Sequence, residues 1–188
     1  MIAYLHGFNS SPQSHKARLL SQYLAVRNRA PEYLCPELPP SAREAVAIVE
    51  ALMQAHRGPF CFVGSSLGGF YATYLAEKHD ARAVLVNPAI TPHVGLRPSL
   101  GPQRNLYTGA SYELTAEHLR QWEELYCARV SPRRYLLLVE TGDEVLDYRE
   151  AVARYAGAEQ VVIPGGDHSL QSFTRQLPRI LQFADTGR

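Results

Sequence analysis

A glycine-rich segment, Gly64-Ser65-Ser66-Leu67-Gly68, contains the residues best suited to covalent chemistry, because it has the pattern G-x-S-x-G. The apolar run at residues 60–63 predicts a strand before this segment, and residues 66–79 predict a helix after it. In that context the central serine lies on a sharp, strained turn that exposes its hydroxyl at the edge of a sheet. The glycine spacing selects Ser66 rather than Ser65 as the predicted nucleophile. The alternative is a glycine-rich turn whose serines are incidental.

A serine hydroxyl is a weak nucleophile until a general base takes its proton. His168 lies in Gly165-Gly166-Asp167-His168-Ser169, after the last predicted strand, so its loop opens at the same sheet edge as Ser66. Proteins with this strand–turn–helix serine have the acid and then the histidine later in the chain. Of the seven histidines, His168 fits that order best, and it is therefore the predicted base.

The acid that orients His168 is expected in the turn after the preceding strand, where the sequence has Asp143, Glu144 and Asp147. Asp147 and Glu150 have the spacing of a helix capping box, which explains Asp147 without catalysis. Asp143 lies in the turn itself and is the preferred candidate, with the other two carboxylates as alternatives. Its role would be to hold the histidine tautomer and to stabilise the imidazolium without taking the proton.

Two backbone N–H groups are needed to stabilise the oxyanion that forms when a serine attacks a carbonyl. In this kind of site one comes from the residue after the nucleophile, here Leu67, and the other from a loop after a neighbouring strand. His6-Gly7-Phe8 follows the first predicted strand, and Gly7 would allow an unusual backbone angle. Phe8 is therefore the second predicted donor, and the His6 side chain is expected to bond nearby loop backbone. The alternative is that these residues form only a tight turn.

The elements that position these residues alternate between short β-rich runs and amphipathic helical stretches. That alternation is typical of an α/β fold with a mostly parallel sheet and helices on both faces. Helix starts are indicated by Ser11-Pro12, by Ser41 with Glu44, and by Asp147 with Glu150. About six strands are predicted, at residues 2–6, 33–35, 60–63, 83–86, 135–140 and 160–163.

Residues 89–132 interrupt the alternation with prolines and glycines, followed by a helical stretch near 115–127. We interpret this segment as a small insertion over the carboxyl edge of the sheet. An insertion in that place would line the pocket for an acyl group. The candidate lining residues are Tyr107, Tyr112, Leu114 and Trp122.

Length and composition exclude several classes of function. The 188 residues suit one compact domain, residues 1–188, which can bury a core without a metal or disulfide staple. A net charge of +1 gives no electrostatic case for nucleic acid or a membrane surface, and no apolar run could span a bilayer. The glycines at 64–69 lack the Lys-Ser/Thr of a P-loop, and no metal motif is present. Three widely spaced cysteines and a start without a signal-peptide pattern predict a cytoplasmic location.

Longer segments give the chain a resemblance to the YqiA-like esterases, small bacterial α/β hydrolases of the UPF0227 type. They are LHGFNSSP at 5–12, PELPP at 36–40, VGSSLGGFYATYLAE at 63–77, VNPAI at 86–90, YTG at 107–109 and TGDEVLDYREAVARY at 141–155. The resemblance covers nearly the whole chain, and the last segment is the most specific. It implies the α/β-hydrolase fold with a trimmed sheet, and a cytoplasmic esterase that uses no cofactor and prefers short acyl chains. It also implies nucleophile, acid and base at Ser66, Asp143 and His168, although GGDH stands where relatives are expected to have GGNH.

Together these observations predict a serine esterase that hydrolyses carboxylic esters of small molecules through an acyl-enzyme, with no cofactor and no metal. An acyl thioesterase or acyltransferase is the alternative, because the same three residues serve all of these reactions. A second alternative, from a different class, is a protein of the same fold that binds a ligand without cleaving it. No oligomeric state is predicted.

Overall fold

Six parallel strands form one sheet that is covered by helices on both faces. This computed structural model describes residues 1–56 and 58–186. The sheet order is β2-β1-β3-β4-β7-β8, and every neighbouring pair is parallel, which confirms the predicted sheet. The strands are β1 (Ile2–Leu5), β2 (Tyr33–Leu34), β3 (Cys61–Ser65), β4 (Arg82–Val86), β5 (Gly101–Arg104), β6 (Ser111–Leu114), β7 (Tyr135–Glu140) and β8 (Glu159–Ile163). The helices are α1 (His15–Ala25), α2 (Ala42–Ala55), α3 (Leu67–Lys78), α4 (Pro92–Gly95), α5 (Ala116–Glu124), α6 (Tyr148–Arg154) and α7 (Phe173–Asp185).

The central strands β1, β3, β4 and β7 are buried, apart from Arg82 at the start of β4, because apolar side chains project from both faces of each strand. Strands covered on both sides are expected to read as continuous apolar runs, and β7 does so up to Val139. One face packs against α2, α3, α5 and α6, and the other packs against α1 and α7. The first core includes Leu5, Phe62, Leu85, Leu137 and Trp122. The second core includes Tyr4, Val63, Val84, Leu136 and Ile180.

The carboxyl ends of parallel strands meet at one edge of the sheet, and ligands of open α/β sheets bind outside that edge. Phe8 follows β1, Ser66 follows β3, Asp143 follows β7 and His168 follows β8. The topology therefore brings four separate sequence segments to one place, with β3 in the interior of the sheet.

Residues 89–132 contain more regular structure than the sequence predicted. The strands β5 and β6 form an antiparallel hairpin in this segment, which the sequence analysis missed. The first strand of the hairpin, β5, is short and polar, and none of its residues is fully buried. It therefore lacks the alternation of apolar and polar residues that predicts a strand. The predicted helix near 115–127 corresponds to α5.

The first helix begins three residues later than Ser11-Pro12 indicated. The Ser11 Oγ accepts a hydrogen bond from the Gln13 N–H (3.0 Å), and its carbonyl accepts from the Ser14 N–H (3.0 Å). Ser11 therefore closes a turn before α1, which is a competing use of the same side-chain chemistry. Among the described residues, no helix has the length and apolar character that crossing a membrane requires.

Candidate active site

Ser66 occupies a strained backbone position between β3 and α3. Its φ of 55° and ψ of −121° lie in a region that side-chain-bearing residues rarely adopt, at a cost on the order of 1–3 kcal/mol. The flanking glycines make this turn possible. A Cβ on Gly64 would lie 2.2 Å from the Gly68 carbonyl oxygen, and a Cβ on Gly68 would lie 1.9 Å from the Leu5 carbonyl oxygen. The spacing of the G-x-S-x-G pattern thus reflects close backbone contacts on both sides of the serine.

The structure brings Ser66, His168 and Asp143 into one hydrogen-bonded chain. The His168 Nε2 lies 3.1 Å from the Ser66 Oγ, and its Nδ1 lies 2.9 and 2.8 Å from the two Asp143 carboxylate oxygens. The Asp143 side chain is only 2% exposed, whereas that of His168 is 22% exposed. Asp143 is held in turn by the N–H groups of Val145 (2.9 Å) and Leu146 (2.8 Å), both donating to its Oδ1.

The two alternative carboxylates have other partners. The Glu144 carboxylate accepts from the backbone N–H of His168 (3.0 Å), not from its ring. Asp147 caps α6, accepting from the Arg149 N–H (3.0 Å). Of the three candidates, Asp143 is the one that reaches the imidazole.

The loop after β1 lies directly over Ser66. A Cβ on Gly7 would lie 3.2 Å from the Ser66 Cβ and 3.7 Å from its Oγ, so the backbone of this loop passes within contact distance of the serine. Among the described residues, no acceptor is found for the Phe8 N–H. Leu67 is the first residue of α3, where N–H groups have no intrahelical acceptor. Among the residues that the structure describes, neither N–H group has a backbone acceptor, so both can donate to a bound ligand.

The ring of His6 orients this loop. Its Nε2 accepts from the Leu38 N–H (3.0 Å), which places the ring proton on Nδ1, and Nδ1 donates to the Gly7 carbonyl (3.1 Å). The expectation that His6 bonds nearby loop backbone is confirmed. A trans peptide directs its carbonyl and its N–H to opposite sides. Because Gly7 and Phe8 share one peptide, the bond to the Gly7 carbonyl also fixes where the Phe8 N–H points.

Two cavities flank residues 7–10. The first, here called the polar cleft, has a volume of about 520 Å³ and is lined by Ser66, His168, Lys16, Tyr107 and Ser14, among others. The second, called the apolar cavity, has a volume of about 440 Å³ and is lined by Leu38, Leu67, Tyr71, Tyr112 and Trp122, among others.

The insertion contributes to both cavities, and three of its four predicted lining residues do line one of them. Tyr112 and Trp122 lie at the apolar cavity and Tyr107 at the polar cleft. Leu114 was wrongly predicted as a lining residue. It is 1% exposed and packs in the core, because its position on β6 turns it toward the sheet.

Sequence reasoning missed two residues that hold the His168 loop. Glu140, the last residue of β7, is 1% exposed and accepts from the N–H groups of Asp167 (3.0 Å), Gln171 (2.9 Å) and Ser172 (2.8 Å). Burial opposes ionisation, yet the N–H donors outweigh it and hold the pKa of Glu140 below its ordinary value. The Asn87 Nδ2 donates to the carbonyls of Asp167 and His168 (3.0 and 3.2 Å).

The sequence signal for the contact between Glu140 and the His168 loop was a charged residue at the end of a buried strand. A buried carboxylate needs several hydrogen-bond donors, so partners for it could have been expected. Within residues 1–56 and 58–186, no group of three or more His, Cys, Asp or Glu side chains is arranged to hold a metal ion.

Comparison with solved structures identifies the fold. Alpha/beta hydrolase domain-containing protein 10 from mouse aligns with a TM-score of 0.75 at 15% identity, covering 100% of this chain and 90% of that one. Est1E from Butyrivibrio proteoclasticus, solved with ferulic acid bound, aligns with a TM-score of 0.73 at 15% identity, covering 97% and 86%. The chain therefore has the α/β-hydrolase fold, as expected.

Sequence comparison identifies the family. The model of the uncharacterised protein family UPF0227 matches residues 1–185. The UPF0227 protein YcfP of Salmonella arizonae is 27% identical over 192 residues, and the alignment covers 100% of both chains. The YcfP protein of Salmonella paratyphi B matches equally well. The chain thus belongs to the UPF0227 family.

Proposed function

We propose that this protein is a serine hydrolase that cleaves carboxylic esters of small molecules through an acyl-enzyme. The observation that carries the proposal is the hydrogen-bonded chain from Ser66 through His168 to Asp143, ending on a serine with strained backbone angles. A protein that only binds a ligand has no need of this arrangement. The fold alone does not carry the proposal, because one fold hosts many functions.

In the proposed first step, His168 Nε2 takes the Ser66 proton as Oγ attacks the ester carbonyl carbon. The carbonyl oxygen becomes an oxyanion, which the N–H groups of Phe8 and Leu67 stabilise. The carbon–oxygen bond to the alcohol then breaks, and His168 gives its proton to the leaving oxygen. Asp143 holds the imidazole and stabilises its charged form throughout.

In the second step a water molecule gives a proton to His168 and attacks the acyl group on Ser66. The bond to Oγ then breaks, His168 returns the proton to Ser66, and the carboxylic acid is released. Every proton moves between Ser66, His168 and the substrate or water, so the mechanism needs no cofactor. The free thiols of Cys35, Cys61 and Cys127 favour a reducing compartment, and we propose that the enzyme acts in the cytoplasm.

The test is hydrolysis of p-nitrophenyl acetate, butyrate and octanoate by wild type, Ser66→Ala, Ser65→Ala and Asp143→Asn. Ser66→Ala is expected to lose about 10³-fold or more in kcat/KM, and Asp143→Asn about 10²–10⁴-fold. Ser65→Ala, one residue away on β3, is the matched control and should stay near the wild-type rate. The chain-length trend measures the acyl preference.

Circular dichroism and a fluorophosphonate probe complete the test. Labelling of wild type that is lost in Ser66→Ala supports the nucleophile. A folded wild type that neither turns over these esters nor reacts with the probe would contradict the proposal and favour a ligand-binding role.

A further inference from the structure

The polar cleft contains a cation that the proposed mechanism does not use. Lys16, near the start of α1, is half-buried, and its Nζ donates to the Ser169 carbonyl (2.9 Å). Within the part of the chain that the structure describes, no carboxylate lies within 4.0 Å of this ammonium. A partly buried lysine is stabilised by pairing with an anion, since even partial desolvation of a charge is unfavourable. Lys16 therefore has a charge to pair and two further N–H donors to offer.

The carboxylates in the neighbourhood already have partners of their own. Asp167 accepts from the Ser169 N–H (2.8 Å) and from Gln171 Nε2 (2.8 Å). Glu140 receives three loop N–H groups, and Asp143 receives the His168 ring. Burial lowers the pKa of Lys16, and these three carboxylates act at longer range to raise it. None of them contacts the ammonium, and the residues that line the polar cleft include no Asp or Glu.

The position of Lys16 assigns it to one side of the substrate. His168 must return its proton to the leaving group, so the leaving group has to lie beside the imidazole. His168 and Ser169 both line the polar cleft, and neither lines the apolar cavity. The leaving group therefore occupies the polar cleft, where the Lys16 ammonium is bonded to the residue after His168. The apolar cavity, bordered by Leu67 and Phe8, is left for the acyl group.

We propose that Lys16 binds an anionic group, a carboxylate or a phosphate, on the leaving-group side of the ester or thioester substrate. The inference rests on the proposed hydrolase function and narrows its substrate class to apolar acyl groups carried on anionic alcohols or thiols. A lysine ammonium can bind either anion, because it is a compact positive charge with three N–H donors.

The first comparison uses two butyrate esters that differ in one group. In 4-carboxyphenyl butyrate the leaving phenol carries a carboxylate, and in 4-carbamoylphenyl butyrate it carries a neutral amide of the same shape. Wild type is expected to prefer the carboxylate ester by about tenfold or more in kcat/KM, mainly through KM, as a charge-assisted hydrogen bond predicts. Lys16→Met should abolish that preference, because kcat/KM should fall about tenfold or more for the carboxylate ester and much less for the amide ester, whereas Lys16→Arg should retain part of the preference. Arg18→Met, an exposed cation on the same helix, is the matched control.

A second comparison distinguishes the two anions. Butyryl-coenzyme A and S-butyryl-N-acetylcysteamine share the acyl group and the thioester bond, and only the first carries phosphates. A Lys16-dependent preference in this thioester pair alone assigns the subsite to phosphate. A Lys16-dependent preference in the pair of phenyl butyrates alone assigns it to carboxylate.

Equal rates on both members of both pairs would overturn the inference while leaving the hydrolase proposal in place. So would a Lys16→Met variant that loses the charged and neutral substrates equally, because that result assigns Lys16 to holding the Ser169 carbonyl. Turnover of none of the four substrates by folded wild type would instead overturn the hydrolase proposal, and this inference with it.

Discussion

At the scale of single residues, the hydrogen bond between His6 and the Leu38 N–H depends on the protonation state of the histidine ring. Its Nε2 accepts from a backbone N–H, so a proton on that nitrogen would break the bond to Leu38. Burial lowers the pKa of His6 below its ordinary value, against a smaller opposite effect of the bond to Gly7. The Glu37 carboxylate lies 4.0 Å from Nε2, but its side chain is 53% exposed and does not replace the backbone donor. The neutral ring is therefore the folded form.

This assignment predicts a stability loss on mild acidification. The unfolded His6 takes a proton near its ordinary pKa of about 6.5, while the folded ring does so only at lower pH. The stability that neutral His6 contributes is thus present above pH 6.5 or so and is lost as pH falls toward the folded pKa. We expect the free energy of unfolding in urea to fall between pH 7.5 and 5.5 in wild type, and to fall less in His6→Gln.

The exposed His15→Gln variant is the control and should keep the wild-type dependence. Burial raises the pKa of Glu37, which acts in the opposite direction, so the difference between variants is the quantity to compare. Parallel pH curves for wild type and His6→Gln would contradict the assigned tautomer.

At the scale of elements, the sequence predicted the site residues that lie in loops after strands. It did not predict the contacts that hold those loops in place. Ser66 directly follows β3, whereas Asp143 and His168 lie in the loops that follow β7 and β8. Because parallel strands bring their carboxyl ends together, sequence order was enough to select all three. Glu140 gave no local signal of its partners, because the three N–H groups it binds lie 27 to 32 residues later. The β5–β6 hairpin was also not predicted from the sequence, because its strands are short, partly exposed and polar.

Replacing the buried Glu140 tests how strongly the loop after β8 depends on β7. Glu140→Gln keeps the shape, but its amide NH₂ would face backbone N–H donors, leaving at least one of them unsatisfied at a cost of about 1–3 kcal/mol. The loop that carries His168 should loosen, so kcat on p-nitrophenyl butyrate is expected to fall by about tenfold with little change in KM. Hydrogen exchange at residues 167–172 should quicken in the same variant.

Glu144→Gln is the matched control, since Glu144 is exposed and accepts only the His168 N–H among these loop donors. A Glu140→Gln enzyme with wild-type kcat and unchanged exchange would show that the loop is held without this carboxylate.

At the scale of the whole molecule, the insertion at residues 89–132 is hydrogen-bonded both to the loop after β1, at the site, and to α3, which covers the sheet. Asn9 bonds Gln103 (3.0 Å) and Tyr112 (2.7 Å), which attaches the hairpin to the loop that carries Phe8. Trp122 on α5 is fully buried, and its Nε1 donates to the Tyr71 hydroxyl (2.7 Å) on α3. These contacts lead us to propose that residues 89–132 unfold together with the rest of the chain, as one domain.

The single tryptophan makes this proposal measurable. Trp122 fluorescence reports on the insertion, while far-ultraviolet circular dichroism reports on the helices and the sheet, so one domain requires coincident urea transitions from the two signals. Tyr71→Phe sharpens the test because it leaves the buried Trp122 N–H without its acceptor, at a cost of about 1–3 kcal/mol, while keeping the probe. Both transitions should then move to lower urea together, by about 0.5–1 M. Tyr126→Phe, at a partly exposed ring, should move neither. A fluorescence transition that shifts alone would mean that the insertion unfolds independently, and that the apolar cavity can open without loss of the sheet.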